Sequence, residues 1–300
     1  MVEKQFGSLA NVNVELTGRC NKNCWMCGRR KIERDYPEIA ATYGDMDFEL
    51  VKKIAEQLPD NITVQLHNNG EPLLYPRFGE AAKLFSRQIT SIDTNGKLLV
   101  EKANEIIGNL DTLAISVIEN DSEADNQYAI IEKFLELKGD RKPLVVLRLN
   151  GNVDRSRYEK FGLIIATRIL HSPLGSFNYK KREPTIPEVG ICWDFLNHLV
   201  INFKGEVSIC VRFDPKGLGV IGNAKKESLL NIWNGEKRMK WLELHKRGRR
   251  DQVPLCSYCQ FWGIPTAFPS EYKAKKTDEE AKVFEEKTGA KPSIRMNKKK

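Results

Sequence analysis

The 300-residue sequence has no apolar run approaching the roughly 18 residues that a membrane-spanning helix needs. Its N-terminus, MVEKQFGSLA, lacks the apolar stretch of a secretory signal, so a cytoplasmic chain is expected. Internal repeats are missing too, which speaks against a repeat architecture. Histidine is scarce: there are four, and the first, His67, stands far from the N-terminal cysteines.

The rest of the composition is that of a globular chain. Hydrophobic residues make up 41% and charged residues 29%, enough apolar material for a large core and too much for wholesale disorder. The length suggests about two domains. The net charge is +8, with the basic excess gathered from Lys237 to Arg250 and from Lys291 to Lys300. Acidic residues interrupt the basic ones elsewhere, so we read these stretches as a solvated helix face and a loose tail, and nucleic acid as an unlikely partner.

Short apolar runs alternate with amphipathic stretches over the first two thirds of the chain. The pattern predicts strands at Val12–Leu16, Ile62–Leu66, Ile89–Asp93, Thr112–Val117, Leu144–Leu149 and Leu163–Ile169. Helical periodicity falls at Phe48–Ala55, Phe78–Phe85, Leu98–Ile107 and Tyr128–Leu137, with Asp47 and Asp125 where N-caps are wanted and Asp154 poised to cap a helix through Phe161. Six strands alternating with helices imply parallel βα units, arranged as a curved barrel-like sheet or as an open doubly wound one. Ser172–Gly190, with three prolines and no periodicity, reads as a linker. A hairpin follows, Leu199–Phe203 and Glu206–Cys210 about a Lys204-Gly205 turn. Helices are expected at Ser228–Trp233 and Gly235–His245, then an exposed helix at Asp278–Lys287 and a disordered end.

Seven cysteines carry the chemistry. In a reducing compartment, clustered cysteines read as metal or redox sites, and an odd total argues against simple pairing. They divide as three plus four. Cys20, Cys24 and Cys27 follow the first strand directly, and three thiolates in one tight loop can converge on one centre with a position left open. Iron–sulfur clusters are normally held by four cysteines, and structural zinc also wants four ligands.

The C-x3-C-x2-C run after a first strand resembles the signature of radical S-adenosylmethionine (SAM) enzymes. In that family the three cysteines hold a [4Fe–4S] cluster whose open iron is chelated by SAM. Further marks stand where the resemblance wants them. Gly70-Glu71-Pro72 after the second strand is similar to the family's GGE-type motif, and Thr94-Asn95-Gly96 to its turn after the third. Ser116 and Arg148, on the fourth and fifth strands, stand where polar contacts to SAM are often made. Two features depart from the pattern: Met26 occupies the usual aromatic place, with Trp25 one step earlier, and the motif reads Asn69-Gly70-Glu71. Met26 still offers adenine an apolar surface. The resemblance covers about residues 10 to 170 and implies a partial (β/α)6 TIM-like barrel with chemistry at the C-terminal strand ends.

Cys192 and Cys210 bracket the hairpin, and Cys256 and Cys259 follow as C-x2-C. Alone this set could be a zinc ribbon. Beside such a core it resembles the twitch fold, a shortened SPASM domain (β-hairpin plus helix) that carries an auxiliary [4Fe–4S] cluster. Gly222-Asn223 and Leu230-Asn231-Ile232-Trp233 add to the likeness. Four cysteines would ligate that cluster fully, pointing to electron transfer. The expected organisation is a core at 1–171, a linker at 172–190, the auxiliary domain at 191–268 and a charged tail at 269–300.

What the resemblance implies is an oxidoreductase with SAM and two [4Fe–4S] clusters as cofactors, and a flavodoxin- or ferredoxin-type electron donor. The auxiliary spacing resembles that of aminocyclitol dehydrogenases acting on 2-deoxy-scyllo-inosamine, so a small polar alcohol is the expected substrate. The alternative is a peptide-modifying enzyme that epimerises or crosslinks a ribosomal peptide, though a first strand near residue 12 leaves no room for an N-terminal leader-binding domain. Candidate proton acceptors at strand ends are His67, Arg168 and His171, with Asp93 and Arg148 beside them. Arg29 and Arg30 are expected at a solvated helix start, and Trp193, Phe195, Trp233 and Trp241 in the core.

Overall fold

The computed structural model describes residues 5–168, 170, 192–211 and 214–259. The linker, the charged tail and the Asp278–Lys287 helix lie outside the described residues. Among those described, no helix is long and apolar enough to cross a membrane.

Nine strands form one sheet: β1 (Asn11–Val14), β2 (Thr63–Gln65), β3 (Ile89–Thr94), β4 (Thr112–Ile118), β5 (Leu144–Asn150), β6 (Ile164–Arg168), β7 (His198–Ile201), β8 (Glu206–Ser208) and β9 (Val220–Asn223). Their order is β6-β5-β4-β3-β2-β1-β7-β8-β9. The first six are parallel and sequential. Each crossover therefore steps the same way, and right-handed crossovers put every helix on one side. A doubly wound sheet would instead reverse its order midway. The architecture is the partial barrel, with helices α1 (Gly28–Asp35), α2 (Pro37–Ala40), α3 (Phe48–Gln57), α4 (Phe78–Leu84), α5 (Ala103–Ile106), α6 (Ala124–Lys138) and α7 (Ser156–Glu159) between strands.

Strand residues alternate between the two faces of the sheet. Val12, Val14, Val64, Ile92, Leu113, Ile115, Val145 and Leu147 form one face, buried against Val51 and Ile54 of α3, Phe78 of α4 and Phe134 of α6. The register puts the other set in line: Asn13 opposite Gln65, Gln65 opposite Ser91, Ser116 opposite Arg148, and Asn150 opposite Arg168. The helix-free face is thus polar, and every catalytic candidate on a strand belongs to it.

Local expectations met mixed outcomes. Asp47 caps α3, its Oδ1 accepting from the amides of Glu49 and Leu50 at 3.0 and 3.1 Å. Asp125 is no cap: α6 starts one residue earlier and Asp125 lies in its first turn. Leu98–Ile107 condenses to turns and the four-residue α5, no capping side chain standing before it. Asp154 accepts from the Ser156 amide, but α7 stops at Glu159, short of Phe161.

The larger difference is at the hairpin. Beyond α8 (Trp193–Asn197), β7 pairs in parallel with β1, so the hairpin extends the barrel sheet, and β9, unforeseen from its Val-Ile-Gly-Asn sequence, adds a third antiparallel strand. Leu199, Ile201, Val207 and, from α9 (Leu229–Trp233), Ile232 and Trp233 share the barrel's own core. Phe195 and Trp241, with Ile209, Val253 and Leu255, make a smaller core carrying Cys192, Cys210 and Cys256 on its flank. Trp193 is not core; it is 49% exposed. The basic run is largely the solvated face expected, with Lys237, Lys240, Lys246, Arg247 and Arg249 exposed, but Arg238 and His245 of α10 (Glu236–Lys246), and Arg250 after it, are buried. Residues 1–190 expressed alone should therefore give no cooperative thermal transition, because β1 loses its β7 partner and Leu199 and Ile201 leave the core. A cooperatively folding fragment would contradict the shared sheet.

Candidate functional site

The thiol loop leaves β1 through Glu15, Thr17 and Gly18 and runs through Cys20, Cys24 and Cys27 into α1, which Cys27 N-caps. Neighbouring strand ends hold it. After β2, the Glu71 amide donates to the Arg19 carbonyl at 2.7 Å. After β3, Asn95 Nδ2 donates to Asn21 Oδ1 at 2.8 Å and approaches Cys20 Sγ at 3.9 Å. After β4, the Glu119 carbonyl accepts from Trp25 Nε1 at 3.0 Å, and buried Lys22 pairs with Asp121 at 2.6 Å. Arg29, expected in solvent, is buried: it donates to the Gly18 carbonyl and covers the Tyr43 ring. Arg30 is the half-exposed one, paired with Glu33 at 2.7 Å.

Gly70 must be glycine, since a Cβ there would collide with the backbone of Thr17 and Arg19. Glu71 is buried beneath it. Its carboxylate accepts from Thr94 Oγ1 at 2.7 Å, the Asn95 amide at 2.8 Å and the Leu73 amide at 3.2 Å, the last capping the one-turn 3-10 helix that starts at Pro72. Burial pushes the carboxyl up to about 7 against those bonds. Gly70-Glu71-Pro72 and Thr94-Asn95-Gly96 are therefore one hydrogen-bonded unit under the thiols. Met26 is half-buried between Trp25 and Cys27.

His67, Asp93 and Arg148 meet on the polar face. His67 Nδ1 accepts the Asp93 amide at 2.9 Å, while Nε2 lies 3.6 Å from the Asp93 carboxylate, which Arg148 ion-pairs. An Nδ1 that accepts leaves the ring proton on Nε2. Burial first, then the charges of Arg148, Arg168 and His198, drive the imidazole down to about 3. His67 thus stands on the polar face as a neutral ring, its Nδ1 taken by the Asp93 amide and its Nε2 facing the Asp93 carboxylate at 3.6 Å. Burial and then Arg168 hold Arg148 down, to about 9. Arg168, at the end of β6, joins this group; Ser116 sits opposite Arg148, its carbonyl accepting from Gln127 at 3.0 Å. His171 lies outside the described residues.

Sequence reading passed over Glu15, whose signal was its place in the Asn11, Asn13, Glu15 alternation. Its buried carboxylate accepts from the Asn69 amide at 2.8 Å and the Phe203 amide at 3.4 Å, joining the loop after β2 to the hairpin turn. The Phe203 ring packs where a Cβ on Gly18 would stand.

The other four cysteines converge from separate elements: Cys192 at the start of α8, Cys210 after β8, and Cys256 and Cys259 around a 3-10 turn. All seven cysteines are unbridged and partly buried. Both sets suit iron–sulfur clusters. Cys24 is pushed up to about 12 by burial and then by Cys27 and Cys20, and Cys256 well above its usual range by burial and then by Cys192, Cys210 and Cys259. Thiols so crowded become thiolates only around a compensating positive centre. Among the described residues, no three His, Cys, Asp or Glu side chains are gathered closely enough for a lone metal ion.

Known proteins agree with this geometry. Residues 14–145 match the radical SAM superfamily model and residues 192–260 the SPASM iron–sulfur cluster-binding domain. The S-adenosyl-L-methionine-dependent 2-deoxy-scyllo-inosamine dehydrogenase of Niallia circulans is 24% identical over 273 residues, 87% of this chain and 96% of that one. A Pyrococcus furiosus protein, described as a tungsten-containing aldehyde ferredoxin oxidoreductase cofactor-modifying protein, is 31% identical over 110 residues, 35% of this chain and 28% of its own. Among solved structures, BtrN in complex with AdoMet and 2-DOIA superposes with a TM-score of 0.60 at 18% identity, covering 87% of this chain and 97% of BtrN. A histidine-tagged anSMEcpe with bound AdoMet gives 0.56 at 13%, covering 92% and 96%. These structures share the fold.

A neutral His67 makes a specific prediction. The pH profile of 5′-deoxyadenosine formation should keep its shape in His67→Gln between about pH 6 and 8, because the ring gains its proton only near 3. A limb near 6.5 that vanishes in the variant would contradict it.

Proposed function

Because the chain belongs to the radical SAM superfamily and carries a SPASM-type iron–sulfur domain, we propose that it oxidises a small polar alcohol to a ketone, with the electron left over passing to an auxiliary cluster. The observation that carries this reading is the pair of thiol sets, three in one loop and four from separate elements, built on one sheet. The likeness to a SAM-dependent dehydrogenase across 87% of the chain supports it.

Bound together, SAM and a reduced [4Fe–4S] cluster supply a 5′-deoxyadenosyl radical that takes hydrogen from an unactivated C–H bond; the organic chemistry is theirs. The protein holds and aims them. Cys20, Cys24 and Cys27 hold the cluster. Gly70 lets the loop after β2 approach the backbone of Thr17 and Arg19 at the root of the thiol loop, while Asn95, Ser116, Arg148, Met26 and the Glu71-Pro72 turn would line the place for SAM. Glu71 does this from below, by fixing the turn, since its oxygens are spent on protein donors. The barrel keeps water out and presents the substrate carbon at close range.

Oxidation of an alcohol to a ketone removes one hydrogen atom, one proton and one electron. The hydrogen atom goes to the radical. The O–H proton needs an acceptor, and an α-hydroxyalkyl radical releases it far more readily than the parent alcohol. The Asp93 carboxylate, ion-paired with Arg148 and steadied by His67, suits that task better than His67 itself. Arg168 anchors substrate oxygens nearby. Cys192, Cys210, Cys256 and Cys259 would hold the centre that takes the electron, four cysteines being the full complement such a cluster normally has. A flavodoxin- or ferredoxin-type donor in the cytoplasm would reload the first cluster.

The test is anaerobic turnover of reconstituted protein with SAM, a strong reductant and a panel of aminocyclitols and related polyols, scored by mass. The reading predicts a product lighter by two hydrogens from at least one of them, with turnover collapsing in Asp93→Asn. Turnover confined to a co-expressed precursor peptide, with unchanged mass and deuterium uptake, would replace it with peptide epimerisation.

A further inference from the structure

Arg250 is one of the largest side chains that the fold buries completely, at 2% exposure, and nothing in the reaction so far uses it. It opens the 3-10 segment Arg250–Gln252, between α10 and the last two cysteines. Its Nη1 donates to the carbonyl of Cys256 at 2.8 Å and to that of Cys259 at 3.2 Å. One guanidinium nitrogen thus grips both ends of the C-x2-C turn, and brings a fixed charge into a low-dielectric corner of the thiol site. The neighbouring acid, Asp251, forms its ion pair with exposed Arg249 at 3.1 Å and feels the charge of Arg250 more weakly. Arg238, the other buried guanidinium of this region, is spent on the Trp233 and Phe195 carbonyls. The buried base beside Cys192 is His245, stacked on Phe195 at 4.6 Å with Nδ1 accepting from the Cys192 amide at 3.4 Å. The buried positive charge against the C-x2-C turn is Arg250's.

An iron–sulfur cluster gains one negative charge when it accepts an electron, and its potential follows local charge, hydrogen bonding and exposure. A fixed cation against its ligand loop favours the reduced form. We propose that Arg250 is a positioning residue of the auxiliary centre whose guanidinium raises that centre's reduction potential, fitting it to take the electron of the substrate radical. This rests on the oxidase reading. The donor is the substrate radical, which loses one electron; the acceptor is the auxiliary cluster, which gains it; the accompanying proton leaves as above. Arginine suits the role because one nitrogen of its guanidinium holds both carbonyls while the group carries the charge; a neutral amide could bond to the carbonyls without it.

The experiment is an EPR-monitored redox titration of the reconstituted full-length chain, comparing wild type with Arg250→Gln and Arg250→Lys, and assigning to the auxiliary centre the signal that SAM leaves unchanged. The expected result is full iron in all three, a more negative auxiliary potential in Arg250→Gln, and a value near wild type in Arg250→Lys. Iron lost from Arg250→Gln but kept in Arg250→Lys would also support a requirement for the charge. Equal potentials in all three would overturn the proposal. Loss of auxiliary iron from both variants would overturn it too, making Arg250 a structural anchor of the turn. A wild type with one cluster alone would fail earlier and separately, at the oxidase reading.

Discussion

The thiol loop after β1 has no regular structure of its own, and the site depends on how the ends of the neighbouring strands hold it. Three loops do so: residues after β2 through the Glu71 amide, after β3 through Asn95, and after β4 through Glu119 and Asp121. Glu71 makes the first two one unit by accepting from Thr94 and Asn95 while its own amide binds Arg19. A buried carboxylate is costly to desolvate unless it is bonded, and here the bonds are what align the motifs. Positions far apart in the chain become one surface because parallel strands deliver all their C-terminal ends to the same rim.

The same logic joins the two thiol sets. β7 lies beside β1, so the strand that leads into the first cysteine and the first strand of the hairpin share a ladder. Glu15 and Phe203 fasten the hairpin turn to the root of the thiol loop. The hairpin flanked by Cys192 and Cys210 is therefore built on the barrel's own sheet and not on a separately tethered domain.

Much of this was legible in the sequence. The six parallel strands were readable because their outward residues are Val, Ile and Leu at alternate places, and the polar residues between them, Asn13, Ser91, Asp93, Ser116 and Arg148, fall on the helix-free face. The cysteine spacing and the Gly-Glu-Pro and Thr-Asn-Gly turns carried the family. What was not legible depends on long-range pairing. β9 has a glycine and an asparagine where a strand signal should be. The β1–β7 ladder joins residues nearly two hundred positions apart, across a linker that suggested separation. Arg29, Arg238, His245 and Arg250 sit in runs of charge that read as solvent-facing, and a buried cation looks like any other until the carbonyls that receive it are placed. The capping role expected of Asp125 failed on local detail, a helix that began one residue earlier.

The account stands on both thiol sets holding clusters and only the first meeting SAM. The direct measurement is iron content with EPR of anaerobically reconstituted protein, with and without SAM, in wild type, Cys24→Ala and Cys256→Ala. The account predicts about 8 iron per chain, two reduced signals of which SAM perturbs one, and roughly half the iron in either variant, with the SAM-sensitive signal missing from Cys24→Ala alone. About 4 iron in wild type, unaffected by Cys256→Ala, would contradict it.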